Sequence, residues 1–179
     1  MLGAYLTYIQ LCIFRSSVRN VSASAATIVL VCVLFALTSI LRFLLSPTEM
    51  TDPVSYFGHV VVIFCVFNVL MYTALVYRKN QNRYRKVLSA FVGTRTLIDL
   101  AMIIVVLVTP PDEYLRQVIS STVAIWRMCI VGFILKEALD VRLPTGILIS
   151  VVIWFISMVV ASMTIGPPIT PEDAVPISE

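Results

Sequence analysis

Charge is scarce in this sequence: Asp, Glu, Lys and Arg make up 13% of its 179 residues. Soluble domains carry about a quarter, so an ordinary water-soluble globule is excluded. Histidine occurs once, and the four cysteines (Cys12, Cys32, Cys65 and Cys129) sit in apolar runs with no Cys-x-x-Cys pair. That spacing supports neither a zinc site nor a disulfide framework, and free cysteines in such runs behave as small hydrophobes. No Gly-rich phosphate loop or nucleophile–base pair occurs. Carboxylates near membrane level or in the fourth loop are few: Asp99, Glu113, Glu137 and Asp140. With so few acid–base candidates, the chain reads as a non-enzyme that needs no cofactor and no metal. The net charge of +3 is too small to suggest nucleic acid as a partner.

What the sequence has instead is apolar length. Hydrophobic residues reach 59% and mean hydropathy is +0.97, which also excludes a disordered chain. A hydrocarbon core of about 30 Å needs roughly 20 mostly apolar residues per helix. Five stretches meet that length: 25–45, 57–77, 87–109, 118–139 and 145–165. They lack the dyad alternation of barrel strands. The expected fold class is therefore an all-α integral membrane protein, a bundle of five transmembrane helices with a short N-terminal interfacial helix. Its divisions are 1–24, a cytoplasmic amphipathic segment; 25–166, the membrane domain; and 167–179, a short acidic, Pro-containing external tail. Punctuation agrees: Pro47 and Pro53 bracket the first loop, Pro110 and Pro111 end the third helix, and Pro144 opens the fifth.

The charges alternate in step with the spans. Arg15 and Arg19 precede the first helix, whereas the first loop carries only Glu49 and Asp52. The second loop holds Arg78, Lys79, Arg83, Arg85 and Lys86. The third sets Asp112 and Glu113 against Arg116, the fourth balances Lys136 and Arg142 with Glu137 and Asp140, and the tail is acidic through Glu172, Asp173 and Glu179. By the positive-inside rule the N-terminus and loops 2 and 4 are cytoplasmic and the C-terminus is external. In a prokaryote the membrane would be the inner one. Asn20-Val21-Ser22 matches a glycosylation sequon but falls on the cytoplasmic side.

The first fourteen residues are apolar, too short to span, and lack the charge order of a signal peptide. Two placements fit them equally. One is an interfacial helix with Tyr5 and Tyr8 at headgroup level; the other is a segment packed on the bundle. The basic residues Arg15, Arg19, Arg78, Lys79, Arg83, Arg85 and Lys86 are candidate contacts for anionic lipid, at about 1 kcal/mol each. Topology determination alone, which needs no ligand, is the simpler account of the loop-2 cluster.

Ionisable groups at membrane depth are costly and are functional candidates by default. Arg95 and Asp99 lie four residues apart, on one helix face. At 1.5 Å per residue Asp99 lies about 20 Å from the inner end of its helix, and Arg127 about 15 Å from the outer end of the next. The two levels differ by about 5 Å in a 30 Å core, within an arginine's reach. An Asp99–Arg127 ion pair is expected, with Arg95 sharing the carboxylate or reaching the inner interface. It serves either as a clamp between helices or as an ion or proton relay. Arg42 is expected to snorkel at its helix end, His59 to be a hydrogen-bonded interface residue, and Asn68 to bond across helices. Ser89 with Gly93, and Ser157 with Ala161, are spaced for close helix packing.

This organisation resembles the Yip1-like family of small multispanning membrane proteins, in a short bacterial-type form. The likeness runs from FRSSVRN, leading into the first helix, through the hairpin of helices 3 and 4. It ends in WRMCIVGFILKEALDVRLPTGILISVVIW, where Ala138 and Leu139 close a helix before a short loop and a final span. The resemblance implies a non-catalytic protein that acts through partners and the bilayer. The acidic, Pro-rich N-terminal region of eukaryotic members has no counterpart in these residues, so the resemblance does not extend to the features behind their trafficking roles or small-GTPase partners. The expected function is a scaffold or accessory subunit of a membrane complex, with lipid and other membrane-protein subunits or further copies of itself as partners. The alternative is a small transporter or channel component using Arg95, Asp99 and Arg127.

Overall fold

A computed structural model describes residues 2–45, 53–109 and 113–166. It contains six helices: α1 Leu2–Cys12, α2 Ala25–Leu45, α3 Pro53–Tyr77, α4 Tyr84–Val108, α5 Glu113–Leu139 and α6 Leu143–Ile165. No strand occurs among the described residues. Five helices, α2 to α6, are long and apolar enough to cross a membrane. The chain is an all-α, multi-pass membrane protein.

Four helices, α3 to α6, start earlier than their apolar runs. The first turns of α3, α4 and α5 contain polar or aromatic residues that project past the hydrocarbon, which a hydropathy threshold leaves out. Pro53 opens α3 instead of sitting in the loop, a position where its missing N–H costs nothing. Pro144 does the same for α6. Ser24 caps α2, its Oγ accepting the Thr27 N–H at 3.1 Å. The acidic residues Glu49, Asp52, Asp112, Glu172, Asp173 and Glu179, with Pro47, Pro110 and Pro111, lie outside the described residues. So do the side chains of Tyr5 and Glu113 and the tail beyond Gly166.

Helices α1, α3 and α5 end alike. Phe14, Lys79 and Asp140 adopt positive φ of 58°, 57° and 51°. The following amides donate back across the last turn: Arg15 to Gln10 O, Asn80 to Leu75 O and Val141 to Lys136 O, at 2.8–3.1 Å. This ending satisfies carbonyls that would otherwise be orphaned.

The packing order is α2–α4–α5–α6–α3, with α4 innermost. One face of α4, from Val87 to Ile103, is almost wholly buried. Helix α3 reaches it through Phe67, which stacks on Phe91 at 4.4 Å, and meets α2 through Phe64, stacked on Phe35 at 5.4 Å. The α5–α6 hairpin crosses glycine on glycine. A Cβ on Gly132 would lie 2.6 Å from Ile147 Cα, and one on Gly146 would run into Gly132 O. Beyond that crossing, Ser150 Oγ donates to Met128 O at 3.1 Å. The outer surface is apolar, with Leu37, Val61, Val69, Ile104, Leu107, Ile125 and Phe155 exposed. In lipid this belt is solvated by hydrocarbon.

Helix α1 takes the packed placement. Tyr8 is 2% exposed, and its hydroxyl shares a 2.7 Å hydrogen bond with Ser89 Oγ. Its ring lies where a Gly93 Cβ would fall, 2.8 Å away. The Ser89–Gly93 notch, read as a face for another spanning helix, thus receives an aromatic ring of α1. Of the two placements open to Tyr8, the headgroup-level one gives way to the packed one, because one polar atom and one notch are available inside the bundle. Leu6, Ile9 and Ile13 cover the opposite, exposed face. Cys12 is buried at the end of α1, and burial pushes its thiol up to about 11 from 9.0.

Candidate functional site

Three spanning helices deliver charge to one point. Asp99 on α4, its side chain 7% exposed, receives Arg127 of α5, whose Nη2 donates directly to Oδ1. Arg95 Nε stands 3.9 Å from Oδ2, one helical turn below on α4. Arg42 of α2 brings Nη1 to 3.7 Å from Oδ1. The expected Asp99–Arg127 pair is formed, with Arg95 beside the carboxylate. Arg42 corrects its expectation: although 44% exposed, it turns towards Asp99. Depth alone allows the contact, since Arg42 stands about 26 Å along α2 and Asp99 about 20 Å from the inner end of its own span; the face that α2 turns to α4 decides it.

The cluster is unbalanced, with three guanidiniums around one carboxylate. An arginine at the centre of a bilayer costs about 3 kcal/mol on insertion scales, and one carboxylate compensates only one. Partial relief is visible. The Arg95 guanidinium lies 4.9 Å from the Phe35 ring centroid, a cation–π contact. Yet Nε of Arg95 and of Arg127 are buried and make no hydrogen bond among the described residues.

Two cavities flank the cluster. One, of about 140 Å³, lies between α2, α4 and α5 and is lined by Arg42, Met102, Val106 and Arg116. The other, of about 270 Å³, lies between α3, α4, α5 and α6 and is lined by Phe67, Phe91, Arg95, Arg127, Trp154 and Met158. Among the described residues, no three His, Cys, Asp or Glu side chains gather as they would around a metal.

The basic candidates divide. Arg83 Nη1 donates to Glu137 O at 3.1 Å and to Asp140 Oδ2 at 3.0 Å, and Lys86 Nζ donates to Arg19 O at 2.8 Å. Glu137 accepts from Ser17 Oγ at 2.8 Å and from the Val18 amide at 2.7 Å. These bonds tie the N-terminal segment to loops 2 and 4, so Arg83 and Lys86 are engaged within the protein. Arg19 stands 3.9 Å from Asp140 while largely exposed, and Arg15, Arg78, Lys79 and Arg85 are exposed. Glu137, read only as a loop charge, is the hub of this end of the molecule. Its place on the last turn of α5, facing the serine-rich stretch after α1, was the available signal.

Asn68 corrects its expectation too. Its Nδ2 donates to Phe64 O at 2.7 Å, within α3, and its buried Oδ1 makes no hydrogen bond among the described residues. His59 is buried, its ring nitrogens 2.9 Å from Ser55 O and 3.1 Å from Gly166 O, so it links α3 to the end of α6. A neutral ring donates from only one nitrogen. Ser157 and Ala161 are fully buried on α6, as close packing requires. All four cysteines are free, with Cys65 exposed on the apolar surface.

A scan of family models, curated proteins and solved structures finds no match to this chain, so its fold and charge cluster are the basis on which its function is read.

Proposed function

We propose that this protein is a non-catalytic scaffold or accessory subunit of a membrane complex, Yip1-like in organisation, with its N-terminus and loops 2 and 4 in the cytoplasm. The observation that carries the reading is the position of Asp99. Arginines from three helices hold one buried carboxylate, and each spanning helix is unbroken. Transporters more often place their sites at interrupted helices. A clamp of this kind fixes helix pairing, and loss of one partner strands a charge. The apolar belt offers lateral contact within the bilayer as a way to engage other subunits.

Asp99→Asn tests this reading. The account expects a reduced yield of folded protein from membranes. Wild-type yield together with lost ion flux in liposomes would overturn it.

A second reading, a small transporter or channel component with Arg95, Asp99 and Arg127 as a relay, is favoured by the cavities on either side of the cluster. It requires water at Asp99. A cysteine introduced beside Asp99 would then react with a water-soluble thiol reagent in a pH-dependent way, whereas the clamp keeps it unreactive.

A further inference from the structure

The charge imbalance at Asp99 and the larger cavity belong together. Arg95 and Arg127 are the two cationic residues lining that cavity, and they are the two whose buried Nε atoms lack a hydrogen-bond partner among the described residues. The remaining walls are mostly apolar: Ile63 and Phe67 from α3, Phe91 and Ile98 from α4, Trp154 and Met158 from α6. Binding sites for small amphipathic molecules have this make-up, an apolar lining with a few convergent polar groups.

The cavity has a mouth. Helices α5 and α6 are in closest approach at Gly132 and Gly146, near their connection. Towards the other end of the hairpin, the lining residues Ala124, Trp154 and Met158 are exposed. On the outside of a spanning bundle, exposed residues at that depth face hydrocarbon. The cleft is therefore open sideways to the membrane, with two guanidiniums on its inner wall.

We propose that this cleft binds an amphipathic anion, its acid group on Arg95 and Arg127 and its apolar body against Phe67, Phe91, Trp154 and Met158. A volume of about 270 Å³ is near the lower end of small-molecule sites, about 300–1,000 Å³. It is too small for a partner's helix, which is about 10 Å across. The acid is carried either by the membrane, as in a fatty acid, or by water, as in a short organic acid; the chemistry at the guanidiniums is the same. The inference holds whether or not the chain works within a larger assembly.

The test uses the full chain in phosphatidylcholine nanodiscs, at a pH where the acids are ionised. The Trp126→Phe variant leaves Trp154, on the cleft wall, as the reporter, since the chain has two tryptophans. Dibromostearic acid and the corresponding dibromo-alcohol are titrated as quenchers. The expected result is half-quenching by the acid at least tenfold below the alcohol, a preference falling to within threefold in Arg95→Gln. Arg95 is chosen because it does not donate to Asp99, so the Asp99–Arg127 bond survives. Ala124→Leu keeps every charge, narrows the mouth and is expected to weaken the acid about tenfold, which keeps the test decisive if Arg95→Gln does not fold. Relief of quenching by octanoate assigns a water-borne acid, and its absence a membrane-borne one. Equal quenching by acid and alcohol, or an acid preference unchanged in the variants that fold, overturns the proposal.

Discussion

At the scale of single residues, the energetics centre on Asp99. Removing one partner of a buried ion pair costs about 3–5 kcal/mol, because the other charge remains without compensation. Asp99→Asn leaves three such charges, so its loss should exceed that of Arg127→Gln. The double variant Asp99→Asn with Arg127→Gln should be less destabilised than the sum of the two, as expected for groups in direct contact. Arg42→Gln should cost under about 1 kcal/mol, since that side chain is half exposed at 3.7 Å. Thermal unfolding in one detergent, followed by the monodisperse fraction, ranks these four variants; a larger loss in Arg42→Gln than in Arg127→Gln would contradict the geometry. Cys12 gives a second check. With its thiol raised to about 11, its thiolate at pH 8 is scarcer than at an ordinary cysteine by about a hundredfold. In a variant with Cys32, Cys65 and Cys129 replaced by Ala, alkylation at pH 8 should be slow until the fold is opened. The linked stability is present below the ordinary value of 9.0 and lost as pH rises towards 11.

At the scale of elements, glycine positions decide which helices touch. Gly146→Ala places a methyl group against the backbone of Gly132, and neither backbone can yield without separating α5 from α6. A fall in unfolding temperature of several degrees is expected, larger than for Gly166→Ala, whose Cβ would meet no atom within 4 Å but whose φ of 98° is strained for an L residue. Gly93→Ala acts on α1 instead, pressing on the Tyr8 ring. It should raise the alkylation rate of Cys12 in the single-cysteine variant while the spanning helices stay folded, a separation that circular dichroism verifies. Lys79 ends α3 at φ 57°, where a side chain costs about 1–2 kcal/mol. Lys79→Gly should therefore leave stability unchanged or raise it.

These elements also show what was legible in the sequence. The spans followed from apolar length, and the Asp99–Arg127 pair from counting rise along antiparallel helices, because depth is a one-dimensional quantity that sequence records. The azimuth of each helix is not recorded in that way. Arg42 was expected to snorkel at its helix end, and its turn towards Asp99 depends on which face α2 presents to α4. The Tyr8–Gly93 contact and the Gly132–Gly146 crossing depend on how two surfaces fit. The three positive-φ endings escaped notice because Phe, Lys and Asp stand where glycine is usual.

At the scale of the whole molecule, a basic, hydrogen-bonded end formed by Arg19, Arg83, Lys86, Glu137 and Asp140 lies opposite the end where Arg42 and Arg116 line the smaller cavity. Between them stands a belt with little polarity outside and one compact charge cluster inside. Unbroken helices and a lateral apolar surface support the proposed role of a subunit that other membrane proteins pack against. The most direct measurement of that claim is intact-complex mass spectrometry of the full chain, extracted from its native membrane in nanodiscs. The account predicts a second membrane protein present in fixed stoichiometry. A bare monomer or homo-oligomer that conducts ions when reconstituted in liposomes would contradict it.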